Sequence, residues 1–211
     1  MQDIKRSLLH SLLEVIVLSL LMMLPVITVY LDLTIGDRTI TELSFVEVTQ
    51  EFLLFISAVL FWVAVVREPH ARGFMVLVAG LLSCMFIREL DYVFDQVVHG
   101  FWFYPAMLMA IGSILYAAIN RATIPLPMAH FMGTRAYVFL AIGLLITLVF
   151  SRVFGSGNLV WKEALGSSYT AHFRSVIQEG LELFGYVFVF YGACLSRLHA
   201  GRQRNGMNPD R

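Results

Sequence analysis

Six long runs of apolar residues divide this chain, and each is long enough to form a helix that crosses a lipid bilayer. Such a helix needs about 20 residues, because the hydrocarbon core is about 30 Å thick and an α-helix rises about 1.5 Å per residue. The pattern therefore predicts an all-α, polytopic integral membrane protein with six transmembrane helices. The runs cover roughly residues 11–30, 45–66, 74–94, 102–119, 136–154 and 175–195.

Composition agrees with this class. Of the 211 residues, 58% are hydrophobic and 14% are charged, whereas soluble domains are about a quarter charged. Mean hydropathy is +0.75. Little chain remains outside the runs, so we expect residues 1–211 to form a single six-helix transmembrane domain that ends in a short basic cytoplasmic tail, residues 196–211. The first run follows Lys5 and Arg6 but is too long for a cleavable signal core, so it should remain as a helix.

Charge is divided between the two ends of the predicted helices. Ten of the fifteen Lys and Arg residues fall on one side, and eleven of the fifteen Asp and Glu residues fall on the other. Basic residues concentrate in short cytoplasmic loops. Both termini should therefore face the cytoplasm, in what we expect to be a bacterial inner (cytoplasmic) membrane. The basic residues of the cytoplasmic side are Lys5, Arg6, Arg67, Arg72, Arg121, Arg135, Arg197, Arg202, Arg204 and Arg211.

Two of the predicted helices share a short pattern. The stretch "FVEVTQEFLLFISAVLF" from Phe45 aligns with "FRSVIQEGLELFGYVFVF" from Phe173, which places Glu51 opposite Glu179. Both helices also run from the end rich in Asp and Glu toward the end rich in Lys and Arg. This alignment predicts a parallel repeat of helices 1–2 and 5–6 around a central hairpin of helices 3 and 4, an arrangement known among transporters. Chance similarity between apolar segments is the alternative.

Ionisable residues should lie at one depth on three helices. From the acidic ends, Glu51 lies about 9 Å inside helix 2, Glu179 and Glu182 lie about 6–10 Å inside helix 6, and Arg88 lies about 9 Å inside helix 3. A charge at such depth costs a few kcal/mol unless it is paired or faces water. We therefore expect a buried ion pair of Arg88 with Glu51, Glu179 or Glu182.

The spacing of these residues predicts stripes on the helix faces. Arg88, Asp91, Asp95 and His99 follow one another at intervals of three, four and four, and His172 lies seven residues before Glu179. One guanidinium can pair with about two carboxylates. The surplus negative charge must then be met by protons, a metal ion or a cationic substrate.

A metal centre is the first interpretation of this layer. Asp, Glu and His ligate divalent zinc, iron or manganese, and helical bundles build such sites from inward-facing Glu and His. If catalytic, the metal would activate water or oxygen toward a lipid or small molecule. The candidate metal- or ion-binding residues are Glu51, Asp91, Asp95, His99, His172, Glu179 and Glu182.

Two other interpretations remain open. The same carboxylates could exchange protons or coordinate an ion in a transporter or channel, or the layer could be a structural ion-pair cluster in an assembly or sensory subunit. His99 precedes Gly100 and equally fits a cap at the end of a helix.

Several classes lack any motif in this sequence. It has no Walker-type phosphate loop, dinucleotide fingerprint, Gly-x-Ser-x-Gly elbow or Cys-x-x-Cys. The basic tail is too short to indicate nucleic-acid binding. Membrane lipids and a small-molecule or ion substrate are the expected partners, and the sequence does not define an oligomeric state.

Overall fold

The computed structural model describes residues 2–35, 44–155 and 160–206, and within these ranges the chain is helical without a β-strand. Short 3₁₀ turns occur at Pro69–Ala71, Arg121–Thr123 and Gly166–Ser168. A π-helical segment, Ile146–Phe150, joins α7 to α8. The α-helices are α1 (Gln2–Thr34), α2 (Phe45–Arg67), α3 (Arg72–Glu89), α4 (Asp91–Asp95), α5 (Phe103–Ile119), α6 (Pro125–Met132), α7 (Arg135–Leu145), α8 (Ser151–Gly155), α9 (Trp161–Leu165) and α10 (Ala171–Gly206).

The helices pack in the order α5, α3, α2, α10 and α7, and α1 lies against α10 and α2. The core lies mainly between α2, α3 and α10, where Leu54, Leu82 and Leu183 are fully buried. Large apolar side chains on α1 and α5 face outward, as expected of helices that contact lipid.

The first turn of α2 is capped by two carboxylates from different helices. Ser44 and Glu47 form a capping box, in which Ser44 Oγ accepts from the Glu47 amide at 3.0 Å and Glu47 Oε2 accepts from the Ser44 amide at 3.1 Å. Asp32, at the end of α1, accepts from the amides of Phe45 and Val46 at 2.7 and 3.0 Å. These contacts satisfy free N–H groups of the helix start and hold α1 antiparallel to α2.

Close contact between α7–α8 and α10 depends on small residues. A Cβ at Gly185 would lie 2.1 Å from Thr147 Oγ1 and 2.8 Å from the Gly143 carbonyl oxygen, so only glycine fits there. The buried residues Gly143, Thr147, Ser151 and Gly155 recur every four positions. In a regular α-helix of 3.6 residues per turn each such step drifts by about 40°, and the wider π turn absorbs this drift. One face of α7–α8 therefore stays against α10.

Five helical segments are long and apolar enough to cross a membrane. The predicted fourth span differs, because α5 has 17 residues and is therefore only about 25 Å long. It continues through the turn after Ile119 into α6 with a bend of 93°, and the bent pair would make a sixth span only if counted as one. The structure shows five candidate spans. Six spans, cytoplasmic termini, the inner-membrane location and the parallel repeat remain predictions. The candidate spans are Ile4–Thr34, Phe45–Arg67, Pro69–Glu89, Arg135–Gly155 and His172–Leu198.

We call the end of the bundle that contains Asp32, Glu47 and Glu179 the acidic side, and the opposite end the basic side. On the basic side, Glu14 of α1 accepts from Arg135 Nη1 at 3.0 Å and from Tyr191 Oη at 2.7 Å, and also pairs with Arg135 Nη2. Arg197 Nη2 lies 2.7 Å from Glu68 Oε1. Ion pairs therefore join α1 to α7 and the end of α2 to α10.

Candidate functional site

Ionisable side chains at the acidic side form two groups. The first, which we call the Arg–Glu network, contains Arg88, Glu89, Arg152, Glu182 and Tyr186. The second, which we call the acidic group, contains Asp32, Glu47, Glu51, Asp91 and Glu179, whose charges interact with one another. The network contains two arginines and two glutamates, so its formal charges cancel, whereas the acidic group contains only acids.

Glu182 is the most deeply buried charged residue of the network, with 4% of its surface exposed. Its Oε1 lies 3.1 Å from Arg152 Nη2, 3.1 Å from Gln178 Nε2 and 3.5 Å from Ser151 Oγ. A buried carboxylate with a cation and two further donors has its lone pairs largely satisfied. Glu182 is therefore held by α8 and by its own helix.

Arg88 and Glu89 complete the network from α3. Arg88 Nη1 pairs with Glu89 Oε1, which also accepts from Tyr186 Oη at 2.8 Å. Arg88 also interacts electrostatically with Glu182, which couples the two ion pairs. This pairing differs from the expected one: Arg88 binds its own neighbour Glu89, and Glu182 binds Arg152. Within the described residues, neither Glu51 nor Glu179 is part of an ion pair.

Arg152 is the cation that sequence reasoning missed at this depth. It lies near the end of the fifth apolar run, outside the three helices that were expected to contribute to the layer. The π-helical segment and the four-residue recurrence of small residues turn this part of α8 toward α10. That recurrence was the available signal, but only packing against α10 shows which helix the face contacts.

Two members of the acidic group have structural roles. Asp32 and Glu47 both cap the start of α2 through backbone N–H groups, which explains a carboxylate at each position. The remaining members are Glu51, Asp91 and Glu179. Asp91 is exposed at the start of α4, where it can remain hydrated.

Glu51 and Glu179 lie within the spans and have few partners. Glu51 Oε1 is buried and has no hydrogen-bond partner among the described residues. The Glu179 side chain accepts from Ser175 Oγ, one turn earlier on α10. The main-chain oxygen of Glu179 accepts from Nε2 of the fully buried Gln50 at 3.0 Å, which ties α2 to α10 at this level.

The negative charge of the acidic group affects the pKa of Tyr92, on the short helix α4. Partial burial raises its pKa above the ordinary value, and the charges of Glu51 and Glu47 raise it further. The phenol therefore lies within electrostatic range of both carboxylates. Because α4 lies beyond the end of α3, Tyr92 reports on this charge from outside the spans.

The expected stripe from Arg88 to His99 is wrong, because the helix that would carry it ends. α3 stops at Glu89, and Leu90, at φ −82° and ψ 19°, begins a new direction. Asp95 accepts from the Gly100 amide and contacts His99 Nδ1, each at 2.7 Å. The His99 side chain is 97% exposed. These contacts close the turn that follows α4, so Asp95 and His99 bind each other and the Gly100 amide rather than the buried carboxylates.

His172 lies in the first turn of α10, on the same helix as Glu179, and is exposed. Among the described residues, no three His, Cys, Asp or Glu side chains converge as ligands of one metal ion. The zinc, iron or manganese centre therefore remains a prediction that the described residues do not support.

Comparisons of the chain with models of protein families, with curated proteins and with solved structures give no match. The fold and the site together define a class: a helical, membrane-type protein with a layer of ionisable residues near one end of its bundle.

Proposed function

We propose that Glu51 and Glu179 of this protein bind protons, which reach them from the acidic side of the bundle, and that the protein responds to this binding. One observation carries the proposal: Glu51 Oε1 is buried without a hydrogen-bond partner among the described residues. A buried carboxylate oxygen without a donor is costly unless a proton, a cation or water satisfies it.

A proton fits this site better than a metal ion. A divalent ion requires several ligands at once, and no three candidate ligands converge in the described part of the chain. A proton needs only one oxygen, and it converts the carboxylate to a neutral carboxyl group that can itself donate. Glu51 and Glu179 can therefore take up protons separately.

The neighbouring arginines are already engaged. Arg88 pairs with Glu89, and Arg152 pairs with Glu182. The arginines of the network are thus neutralised inside it, and the negative charges of Glu51 and Glu179 are left to be balanced from outside. This arrangement supports uptake of a positive species at the two carboxylates.

We expect protons to reach Glu51 and Glu179 from the acidic side only. Toward the basic side, the described core below the Arg–Glu network is apolar and closely packed, with Phe61, Val187 and Val189 at most 1% exposed. Such packing supports binding from the acidic side and argues against conduction in this conformation. A metal-dependent activity and a proton or cation transporter remain the less favoured alternatives.

The proposal is tested by infrared difference spectroscopy on the protein in lipid bilayers, with the pH of the medium stepped down from about 8 to 5, a range that ends above the ordinary pKa of an exposed carboxyl group. We expect the carbonyl band of protonated carboxyl groups to grow as the pH falls. Glu51→Gln and Glu179→Gln should each remove part of that band. Glu163→Gln, at an exposed position on α9, is the matched control and should leave it unchanged.

A band as strong in the Glu51→Gln, Glu179→Gln double variant as in the wild type would overturn the proposal. So would stoichiometric zinc, iron or manganese in the purified wild type that the double variant lacks. Proton flux into liposomes, abolished by the same double change, would replace one-sided binding with transport.

A further inference from the structure

An apolar groove lies on the opposite flank of the bundle from α7. Its volume is about 540 Å³, within the range of ligand pockets. Residues of α2, α3 and α5 form its walls, and almost all are apolar. The walls include Val65 of α2, Val76 and Ile87 of α3, and Gly112 of α5.

The groove is long and follows the helix axes. Its wall on α3 extends from Val76 near the basic side to Ile87 near the acidic side. These residues are eleven positions apart, so the groove is about 16 Å long. This is about half the thickness of the hydrocarbon core, the depth reached by the chains of one lipid leaflet.

Arginines lie at the basic end of the groove. Arg72 Nε donates to the main-chain oxygen of Val65, a wall residue, at 3.2 Å. The Gly73 amide donates to Thr123 Oγ1 at 2.8 Å, which places the turn containing Arg121 beside the start of α3. Arg67 ends α2 nearby. Within the described residues, none of these arginines is part of an ion pair.

We propose that this groove binds an anionic phospholipid of the basic-side leaflet. One acyl chain fills the groove, and the phosphate lies among Arg67, Arg72 and Arg121. Charge complementarity identifies the occupant, because unpaired guanidinium groups bind phosphate well and basic pockets between transmembrane helices bind anionic headgroups. A zwitterionic lipid would fill the same groove but would bind less tightly to the arginines at its basic end.

Gly112 offers a direct test of the chain-binding part. It lines the groove, and a Cβ added there would meet nothing within 4 Å. Gly112→Leu therefore places a side chain in the groove from a position where a Cβ meets open space, and leucine favours the helix more than glycine does. Thermal unfolding in lipid-free detergent should confirm that this variant is folded.

The experiment is native mass spectrometry of the detergent-solubilised protein with added phosphatidylglycerol or phosphatidylcholine. Wild type should retain phosphatidylglycerol more tightly. Arg121→Gln should weaken its binding about fivefold, the effect of one basic residue near a lipid headgroup. Gly112→Leu should lose most of the bound lipid. Arg174→Gln removes an exposed arginine at the acidic side and should bind as wild type does.

Equal retention of the two lipids by wild type would overturn the proposal, and so would unchanged phosphatidylglycerol binding in folded Gly112→Leu. Binding that falls equally in Arg121→Gln and Arg174→Gln would also overturn it, because the loss would then reflect overall charge rather than this groove.

Discussion

The two ends of the bundle differ in whether their carboxylates are paired with arginine. On the basic side, Glu14 and Glu68 are each paired with an arginine of another helix. On the acidic side, Glu89 and Glu182 are paired, whereas Glu51 and Glu179 have no cation partner in the described part of the chain. Pairs between helices fix positions in the fold. Carboxylates left without a cation remain available to bind one.

The difference follows from the supply of arginine at each end. The basic side has a surplus of cations, so each of its described span-end acids finds a partner. The acidic side has a surplus of carboxylates, and the two arginines of the Arg–Glu network pair with Glu89 and Glu182.

Glu182 and Glu179 lie about one turn apart on α10 and should differ sharply in their contribution to stability. Glu182→Gln removes the charge partner of Arg152, and we expect it to lower the free energy of unfolding by about 2 kcal/mol, less than for a fully buried pair because Arg152 is 44% exposed. Glu179→Gln should change it by less than about 0.5 kcal/mol. Reversible unfolding in mixed micelles measures both.

Arg152→Gln is the companion variant to Glu182→Gln. It should destabilise the protein by a similar amount, and the double variant should cost less than the sum of the two. Equal losses for Glu182→Gln and Glu179→Gln would show that the two carboxylates are not distinguished by their pairing.

On the basic side, Glu14→Gln should loosen α1. This change weakens the pair with Arg135, which is 62% exposed, so the expected loss is about 1 kcal/mol. Because Glu14 bonds both α7 and α10, hydrogen exchange should become faster in α1 than elsewhere. Glu163→Gln, on the exposed face of α9, is the control. Faster exchange throughout the bundle would contradict a local role for this pair.

The smallest expected effect is on Tyr92. Its pKa is raised by partial burial and by the charges of Glu51 and Glu47, so the neutral phenol persists to higher pH than in a free tyrosine. Glu51→Gln removes one of these charges and should lower the pKa of Tyr92. Absorbance of the tyrosinate, with Tyr92→Phe subtracted, measures it. An unchanged titration would mean that Glu51 is already neutral at that pH or is distant from the phenol.

Some features of the site were predictable from position in the sequence alone. Counting residues from the ends of the apolar runs placed Glu51, Arg88 and Glu182 in a layer near one side, because the rise of an α-helix is constant. The pairing of these residues was not predictable. Which carboxylate meets Arg88 depends on rotation about each helix axis and on side-chain conformation, and several faces were compatible with the same spacing.

The stripe from Arg88 to His99 failed for a related reason. Its intervals suit a helix, but α3 ends at Glu89, so spacing beyond that point no longer describes one face. Residues 90–94 contain no proline or glycine that would have indicated the break in the helix. The alternative role of His99, a cap at the end of helix 3, fails for the same reason, because that helix ends ten residues before His99.

Composition and residue order are enough to indicate a helical membrane protein: the apolar runs are long, few residues are charged, and opposite charges segregate to the two ends of the runs. Tertiary structure alone decided the chemistry of the layer. It brought Arg152 to Glu182 through a π-helical turn, satisfied Asp32 and Glu47 at a helix start, and left an oxygen of Glu51 without a partner. Local order sets the depth of a side chain in a membrane helix, but only the packing of neighbouring helices sets which groups it meets.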